Sequence, residues 1–334
     1  LIRSLEACTM IRDIDKGHQI HIQILQFGLE GIPTVGGALL DMYGNCGPLV
    51  EAENIFDRLP MQDVITWTEL MFAYVMNGFA DKALQCFDRM QIDGISPDAI
   101  TFICILKACG SLGAIDKGKQ IHDEIVNRGS LKENIVLGTA LVDMYAKCGV
   151  LHKAQEILEE LPIRDMIAWS ALITGYAQEG QVHEALNCFE GMQSEGFSPD
   201  AISFLSALNA CTHSGLLEKG EIYFDMMCSS YGIIPTLEHH TSMVVLLGCA
   251  GRFQKAMSVI KAMPDPVRPV IWLTLLGACR KWGNVKLGIL AFDQIIQVDS
   301  GCASAYVLIA DIFTSVGMQN DAENVETMRW KYAL

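Results

Sequence analysis

Four groups of residues in this 334-residue sequence have types that could do chemistry. Twelve cysteines offer thiolates for metal binding, disulfides or nucleophilic attack. "HDE" at 122–124 has the H-x-E form that zinc-dependent base deaminases use, where the Glu shuttles protons for a metal-bound water. "GAIDKGKQ" at 113–120 has the G-x-x-x-x-G-K spacing of a loop that cradles phosphates. His239 and His240 are adjacent imidazoles. Each group fails on its surroundings. No C-x-x-C occurs to complete a deaminase zinc site, and Gln120 stands where a phosphate loop needs Ser or Thr for magnesium. Adjacent histidines on a helix diverge by about 100° and make a poor chelate. No Ser-His-Asp or H-E-x-x-H arrangement is present. The expectation is a chain with no catalytic residue, no metal and no cofactor.

The cysteines instead follow a rhythm. Cys8, Cys109, Cys211 and Cys279 each follow Ala; Cys46 and Cys148 precede Gly; Cys86 and Cys188 precede Phe. Thiols that recur in this way read as small buried hydrophobes in a reducing compartment. The tempting motifs recur too: "RDIDKGHQ" and "GLLEKGEI" repeat the phosphate-loop phrase with His18 and Glu221 in place of its final lysine, which makes it a repeat turn, and His21 is the twin of His122, which reads as a helix-surface histidine.

The rhythm is a repeat. "LLDMYGNCGPLVEAENIF" (39–56) returns as "LVDMYAKCGVLHKAQEIL" (141–158), 102 residues on. Trp67 and Trp169 share that offset, as do Cys109 and Cys211, and "SPDAITF" (96–102) and "SPDAISF" (198–204). The 102-residue period divides into units of 35 (64–98), 36 (99–134) and 31 (135–165) and resumes at 166–200, 201–236 and 237–267. Upstream, 33–63 is a short unit and 1–32 a partial long one. Each unit reads as two amphipathic helices. In 166–200, Ile167, Leu172, Ile173 and Tyr176 form one apolar stripe, ended by Gly180, and Val182, Ala185, Leu186, Phe189 and Met192 form the next, ended by Gly196 and Pro199. Pro60, Pro162 and Pro264 cut the second helices of the short units. Ala52, Ala83, Ala154 and Ala185 would let neighbouring helices approach closely. A two-helix unit cannot bury its own stripe, so the predicted fold is all-α: a right-handed superhelical α-solenoid of stacked helix-turn-helix repeats.

Hydrophobic residues at 51% make global disorder untenable. No apolar run is long enough to span a bilayer, and no membrane partner is expected. The net charge of −15 opposes tight nonspecific nucleic-acid binding, yet the acids gather in second helices such as "EILEE" (156–160), which would face outward.

The alternation of 35, 36 and 31 residues resembles the P, L and S motifs of plant pentatricopeptide repeat proteins. The phrases that carry it are "VITWTELMFAYVMNGFADKALQCFDRMQIDGISPD" (P), "AITFICILKACGSLGAIDKGKQIH" (L) and "TALVDMYAKCGVLHKAQEILEELPIRD" (S). The tail resembles the E region of that family, with a first E-like motif over 268–302 ("VIWLTLLGACRKWGNVKLG") and a second over 303–334 ("ASAYVLIADIFTSVGMQNDAENVETMR"). The resemblance implies an L-S-P-L-S-P-L-S array over 1–267 and single-stranded RNA binding, one base per reading unit. It implies base reading by the fifth and last residues: Thr68 with Asp98, Thr139 with Asp165, and Ser170 with Asp200. A hydroxyl with Asp resembles the family's guanine preference. The second residues, Ile65, Val136 and Ile167, would sandwich bases. Weaker contacts are expected at Gly37 with Asp63, at Lys147, and at Thr241, whose partner falls near Val267; His213 is a further candidate for phosphate. The long units carry Ile103 and Leu205 at the fifth position and would read no base.

The implied target, 5′ to 3′, is n-G-n-G-G-n-n. The resemblance implies site recognition for organellar C-to-U editing, in mitochondrion or chloroplast, with a transit peptide not present in this sequence. Its partners would be a deaminase supplied in trans, or lost from this chain, and accessory factors bound through the L motifs and E region. The structural alternative for the Thr, Ser and Asp residues is solvated surface and helix capping. The rival from another class is a tetratricopeptide-like peptide-binding scaffold, which the Trp169-Leu172-Tyr176 spacing also suits but whose uniform period this chain lacks. An autonomous enzyme stands third.

Overall fold

The structure, a computed structural model, describes residues 1–129, 134–263 and 268–332; Pro264 and Val267 lie outside them. Among the described residues there are twenty α-helices and no strand. They divide into two compact units, residues 1–175 and 176–334. The first holds α1 (Ile2–Ile11), α2 (Ile14–Gln26), α3 (Pro33–Cys46), α4 (Leu49–Arg58), α5 (Val64–Met76), α6 (Ala80–Ile92), α7 (Ala99–Leu112), α8 (Ile115–Asn127), α9 (Ile135–Lys147) and α10 (Leu151–Glu160). The boundary falls within α11 (Met166–Gln178). The second unit continues with α12 (Val182–Ser194), α13 (Ala201–Ser214), α14 (Leu217–Ser229), α15 (Leu237–Cys249), α16 (Phe253–Ala262), α17 (Pro269–Trp282), α18 (Val285–Val298), α19 (Ala303–Ser315) and α20 (Gln319–Tyr332).

Within each unit the odd-numbered helices pack on one another in order, α1 to α9 in the first and α13 to α19 in the second, with even-numbered helices laid against them. This is the stacking of an α-solenoid. The packing follows from side-chain size. Ala52, Ala83, Ala154 and Ala185 are all fully buried, as the close approach of second helices requires. Where α3 crosses α5, a Cβ on Gly44 would lie 2.6 Å from the Cβ of Ala73, so only glycine permits that spacing. Trp67, the largest fully buried side chain, meets Phe56 edge to face with centroids 4.6 Å apart. Helices α4 and α10 stop at Arg58 and Glu160, two residues before Pro60 and Pro162.

The motifs set aside on sequence grounds are packing and capping groups. Burial pushes the thiols of Cys104, Cys109 and Cys279 up to about 12, which makes them inert. His122 is not on open surface as its helix position suggested: it is half-buried, its Nδ1 3.0 Å from the Tyr145 hydroxyl. His239 is buried within a capping box at the start of α15, its Nδ1 2.8 Å from Thr236 Oγ1 and its Nε2 2.8 Å from the Ala201 carbonyl.

Candidate nucleic-acid interface

The expected reading residues lie at the starts of first helices. Backbone N–H groups in a helix's first turn lack intrahelical partners, and a side-chain oxygen just before it satisfies one. The unit-ending aspartates fill this role. Asp63 Oδ1 accepts from Thr66 N (2.9 Å), Asp98 Oδ1 from Thr101 N (2.8 Å), Asp165 Oδ1 from Ala168 N (2.8 Å) and Asp200 Oδ1 from Ser203 N (2.8 Å). The capping alternative is therefore real for all four. Capping uses one carboxylate oxygen and leaves the other for a second task.

At Asp165 that second task is visible. Its Oδ2 accepts from the Thr139 hydroxyl at 2.8 Å, so the fifth and last residues of the 135–165 unit are one hydrogen-bonded pair. Thr68 and Asp98 are joined through a third group. Thr68 Oγ1 lies 2.8 Å from Thr101 Oγ1, which donates to Asp98 Oδ1 at 2.9 Å. Ser170 is half-buried on α11 in the first unit, and Asp200 caps α13 in the second. Thr241 donates to the Leu237 carbonyl at 2.8 Å.

Thr68 and Thr139 are more enclosed than surface readers would be, each 5% exposed. Asp98 is exposed and Asp165 half-buried, so the carboxylates carry more of the accessible polar surface. The β-branched second residues behave differently: Ile65, Val136 and Ile167 are 58–62% exposed in otherwise well-buried helices. The long units repeat the feature at Ile100 and Ile202, 57% and 60% exposed, which the sequence reading passed over although they share the 102-residue offset. Keeping such apolar groups in water is unfavourable, and within the first unit their repetition at matched positions on α5, α7, α9 and α11 is a recurrent exposed apolar feature.

Gly37 is the odd member. A Cβ there would meet nothing closer than Ile65 Cγ2 at 4.0 Å. A cavity of about 270 Å³ occupies the space, lined among others by Gly37, Asp63, Ile65, Glu6, Asp41 and Glu69. Burial, with Asp41 adding like charge, pushes the Glu69 carboxyl up to about 7. The folded protein thus holds this proton more tightly than the unfolded chain, whose ordinary value is 4.5. The contribution of Glu69 to stability is full below pH 4.5, falls as pH rises toward 7 and is level above it. Glu69→Gln is expected to be more stable than the parent by ~2 kcal/mol at pH 8, with the difference vanishing near pH 4. Urea titrations at both pH values measure this.

Lys147, expected to meet phosphate, is exposed but pairs with Asp143 at 2.7 Å. A surface pair of this i,i+4 kind is worth only about 0.5 kcal/mol, so an incoming phosphate can displace it. His213 is exposed in the last turn of α13. Among the described residues no group of three or more His, Cys, Asp or Glu side chains could hold a metal ion, and no helix is long and apolar enough to cross a membrane.

Comparison with known proteins gives concordant matches. The model of the PPR repeat family matches residues 62–111 and 164–213. The model of the PPR repeat matches 37–64, 139–165, 202–231 and 238–265. A pentatricopeptide repeat-containing protein of Arabidopsis thaliana is 36% identical over 99% of this chain and 45% of its own length. Two others from that plant, named mitochondrial and chloroplastic, are each 35% identical over 94% and 98% of this chain and 37% and 44% of theirs. The chain therefore spans less than half the length of these relatives. Among solved structures, the pentatricopeptide repeat protein PPR10 in complex with an 18-nt psaJ RNA element has the same fold, with a TM-score of 0.74 at 18% identity over 95% of this chain and 48% of that one.

Proposed function

We propose that this chain, which belongs to the pentatricopeptide repeat family, is a sequence-specific single-stranded RNA-binding module rather than an enzyme. The observation that carries this reading is the hydrogen bond from Thr139 to Asp165. A carboxylate only accepts, so Thr139 turns its single proton inward to it, with the Ile135 carbonyl at 3.2 Å as a second acceptor. Toward a ligand, both residues then offer lone pairs. Guanine has two adjacent donors on its Watson–Crick edge, N1–H and the N2 amine. Adenine, cytosine and uracil each set an acceptor beside their donor. Two fixed acceptors therefore favour guanine, and the exposed Ile65, Ile100, Val136 and Ile167 supply apolar faces for bases to rest against.

Three reading pairs, Thr68 with Asp98, Thr139 with Asp165 and Ser170 with Asp200, give the target n-G-n-G-G-n-n. The few cations on first helices point to modest, salt-sensitive affinity. The alternation of P, L and S units and the E-like tail over 268–302 and 303–334 support a role in choosing sites for C-to-U editing in a mitochondrion or chloroplast, the deaminase being supplied by a partner or by another part of the protein. Helix pairs α17–α18 and α19–α20 continue the stack there and offer a surface for such a partner.

Competition binding with labelled n-G-n-G-G-n-n RNA tests the reading. Thr139→Asn replaces a lone pair with an amide that both donates and accepts, which suits uracil. Preference at the fourth nucleotide should move from G toward U by about tenfold. An unchanged preference, or no binding of single strands at low salt, contradicts the proposal.

A further inference from the structure

We infer that Thr101, the third residue of the unit following the Thr68–Asp98 pair, is a specificity-determining positioning residue for the base read there; the inference rests on the RNA-binding reading above. Thr101 is fully buried at the start of α7 and touches both members of the pair. Its hydroxyl donates to Asp98 Oδ1 at 2.9 Å, and the Asp98 N–H donates to Thr101 Oγ1 at 3.3 Å. The one proton of Thr101 is thereby spent, because Asp98 can only accept. With that proton on Asp98, Thr68 can supply the proton of the 2.8 Å contact between the two hydroxyls, in which either atom could donate. The Val64 carbonyl, 2.7 Å from the Thr68 hydroxyl, is a second acceptor for the same proton and also lies within the protein. Thr68 is held with its proton inward and a lone pair left for a ligand.

The contrast with the neighbouring pair shows why a third residue is needed here. At the Thr139 pair the equivalent third residue is Ala168, which has no hydroxyl, and Thr139 bonds Asp165 directly. At the Thr68 pair the carboxylate is engaged by Thr101, and the link passes through it. The second unit repeats the arm of this relay: Ser203, 102 residues on from Thr101, donates from its hydroxyl to Asp200 Oδ1 at 2.7 Å and from its N–H at 2.8 Å. Thr101 does not itself meet the base. With the Val64 carbonyl it keeps the Thr68 proton turned inward, and it fixes the position of the Asp98 carboxylate; those two acceptors define the guanine site.

The test compares wild type, Thr101→Val and Thr101→Ser by competition binding with n-G-n-G-G-n-n RNAs that carry G or A at either the second or the fourth nucleotide. Thr101→Val is expected to lower the G-over-A preference at the second nucleotide by about tenfold, to leave the fourth unchanged, and to be rescued by Thr101→Ser. A purely structural role would weaken all RNAs alike, and thermal unfolding of each variant reports that separately. Retained discrimination at the second nucleotide in Thr101→Val, or equal loss at both positions, overturns the relay while RNA binding by the wild type stands. A wild type that binds no single-stranded RNA overturns the functional reading and this inference together.

Discussion

Asp165→Asn should exchange guanine for adenine as the preferred base at the Thr139 position. In the native pair, Asp165 Oδ1 caps Ala168 N and Oδ2 takes the Thr139 proton. Asparagine caps helices as well as aspartate does, so its carbonyl oxygen keeps the bond to Ala168 N and α11 keeps its start. The amide nitrogen then takes the place of Oδ2 and can only donate. Thr139 must accept from it, and its own proton turns to the Ile135 carbonyl, 3.2 Å away. A site that offered two acceptors now offers one donor beside one acceptor. Adenine N1 accepts where guanine N1–H would oppose, and its N6 amine donates, so the preference inverts. A change of about 1–3 kcal/mol in discrimination, roughly ten- to a hundredfold, is expected at the fourth nucleotide and none at the second. Unfolding midpoints should move little, which separates this variant from Asp165→Ala, where loss of the cap costs about 1 kcal/mol.

Gly37→Thr should add a reading position. The 33–63 unit already has the other parts: Asp63 caps α5 and accepts from the Thr66 hydroxyl as Asp98 caps α7 and accepts from Thr101, and Ile65 stands exposed beside it. What is missing is the fifth side chain. The nearest atom to a Cβ at Gly37 is 4.0 Å away, in ordinary contact, and the cavity there has room for the hydroxyl and methyl. The helix interior also loses a glycine, which offsets the poorer fit of a β-branched residue and leaves a net gain of a few tenths of a kcal/mol. RNA carrying G at the first nucleotide should bind about tenfold more tightly to the variant than to the parent, while RNAs with other bases there gain little. Equal tightening for all four bases would show that the added side chain acts on stability alone.

Much of this could be read from residues alone, because it is local. Apolar stripes, the glycines that end helices and the prolines after α4 and α10 act within a few residues of their own positions, and the 102-residue offset marks which of them are structural. The capping role of the aspartates was legible for the same reason. What escaped depends on contacts between units. Thr68 meets Thr101 across 33 residues, and a unit boundary drawn at Asp98 assigns this positioning residue to the next repeat. The raised Glu69 carboxyl reflects burial and Asp41, 28 residues away on α3. The enclosure of Thr68 and Thr139 is likewise a product of how closely α5, α7 and α9 pack. By contrast, the pairing of Lys147 with Asp143 is an i,i+4 relation on one helix and was open to reading. So was the exposed stripe at Ile100 and Ile202, had the second-residue rule been carried into the long units.

The central claim is that Thr139 and Asp165 present two fixed acceptors to a base. Its most direct test is equilibrium binding of the wild-type chain to single-stranded n-G-n-G-G-n-n RNA at low salt, beside the same RNA with inosine at the fourth nucleotide. Inosine keeps the N1–H and lacks only the N2 amine, so it removes one of the two donors and nothing else. The account predicts about tenfold weaker binding for inosine in the wild type and no penalty in Asp165→Asn. Equal affinity of the wild type for guanine and inosine at that position would contradict it.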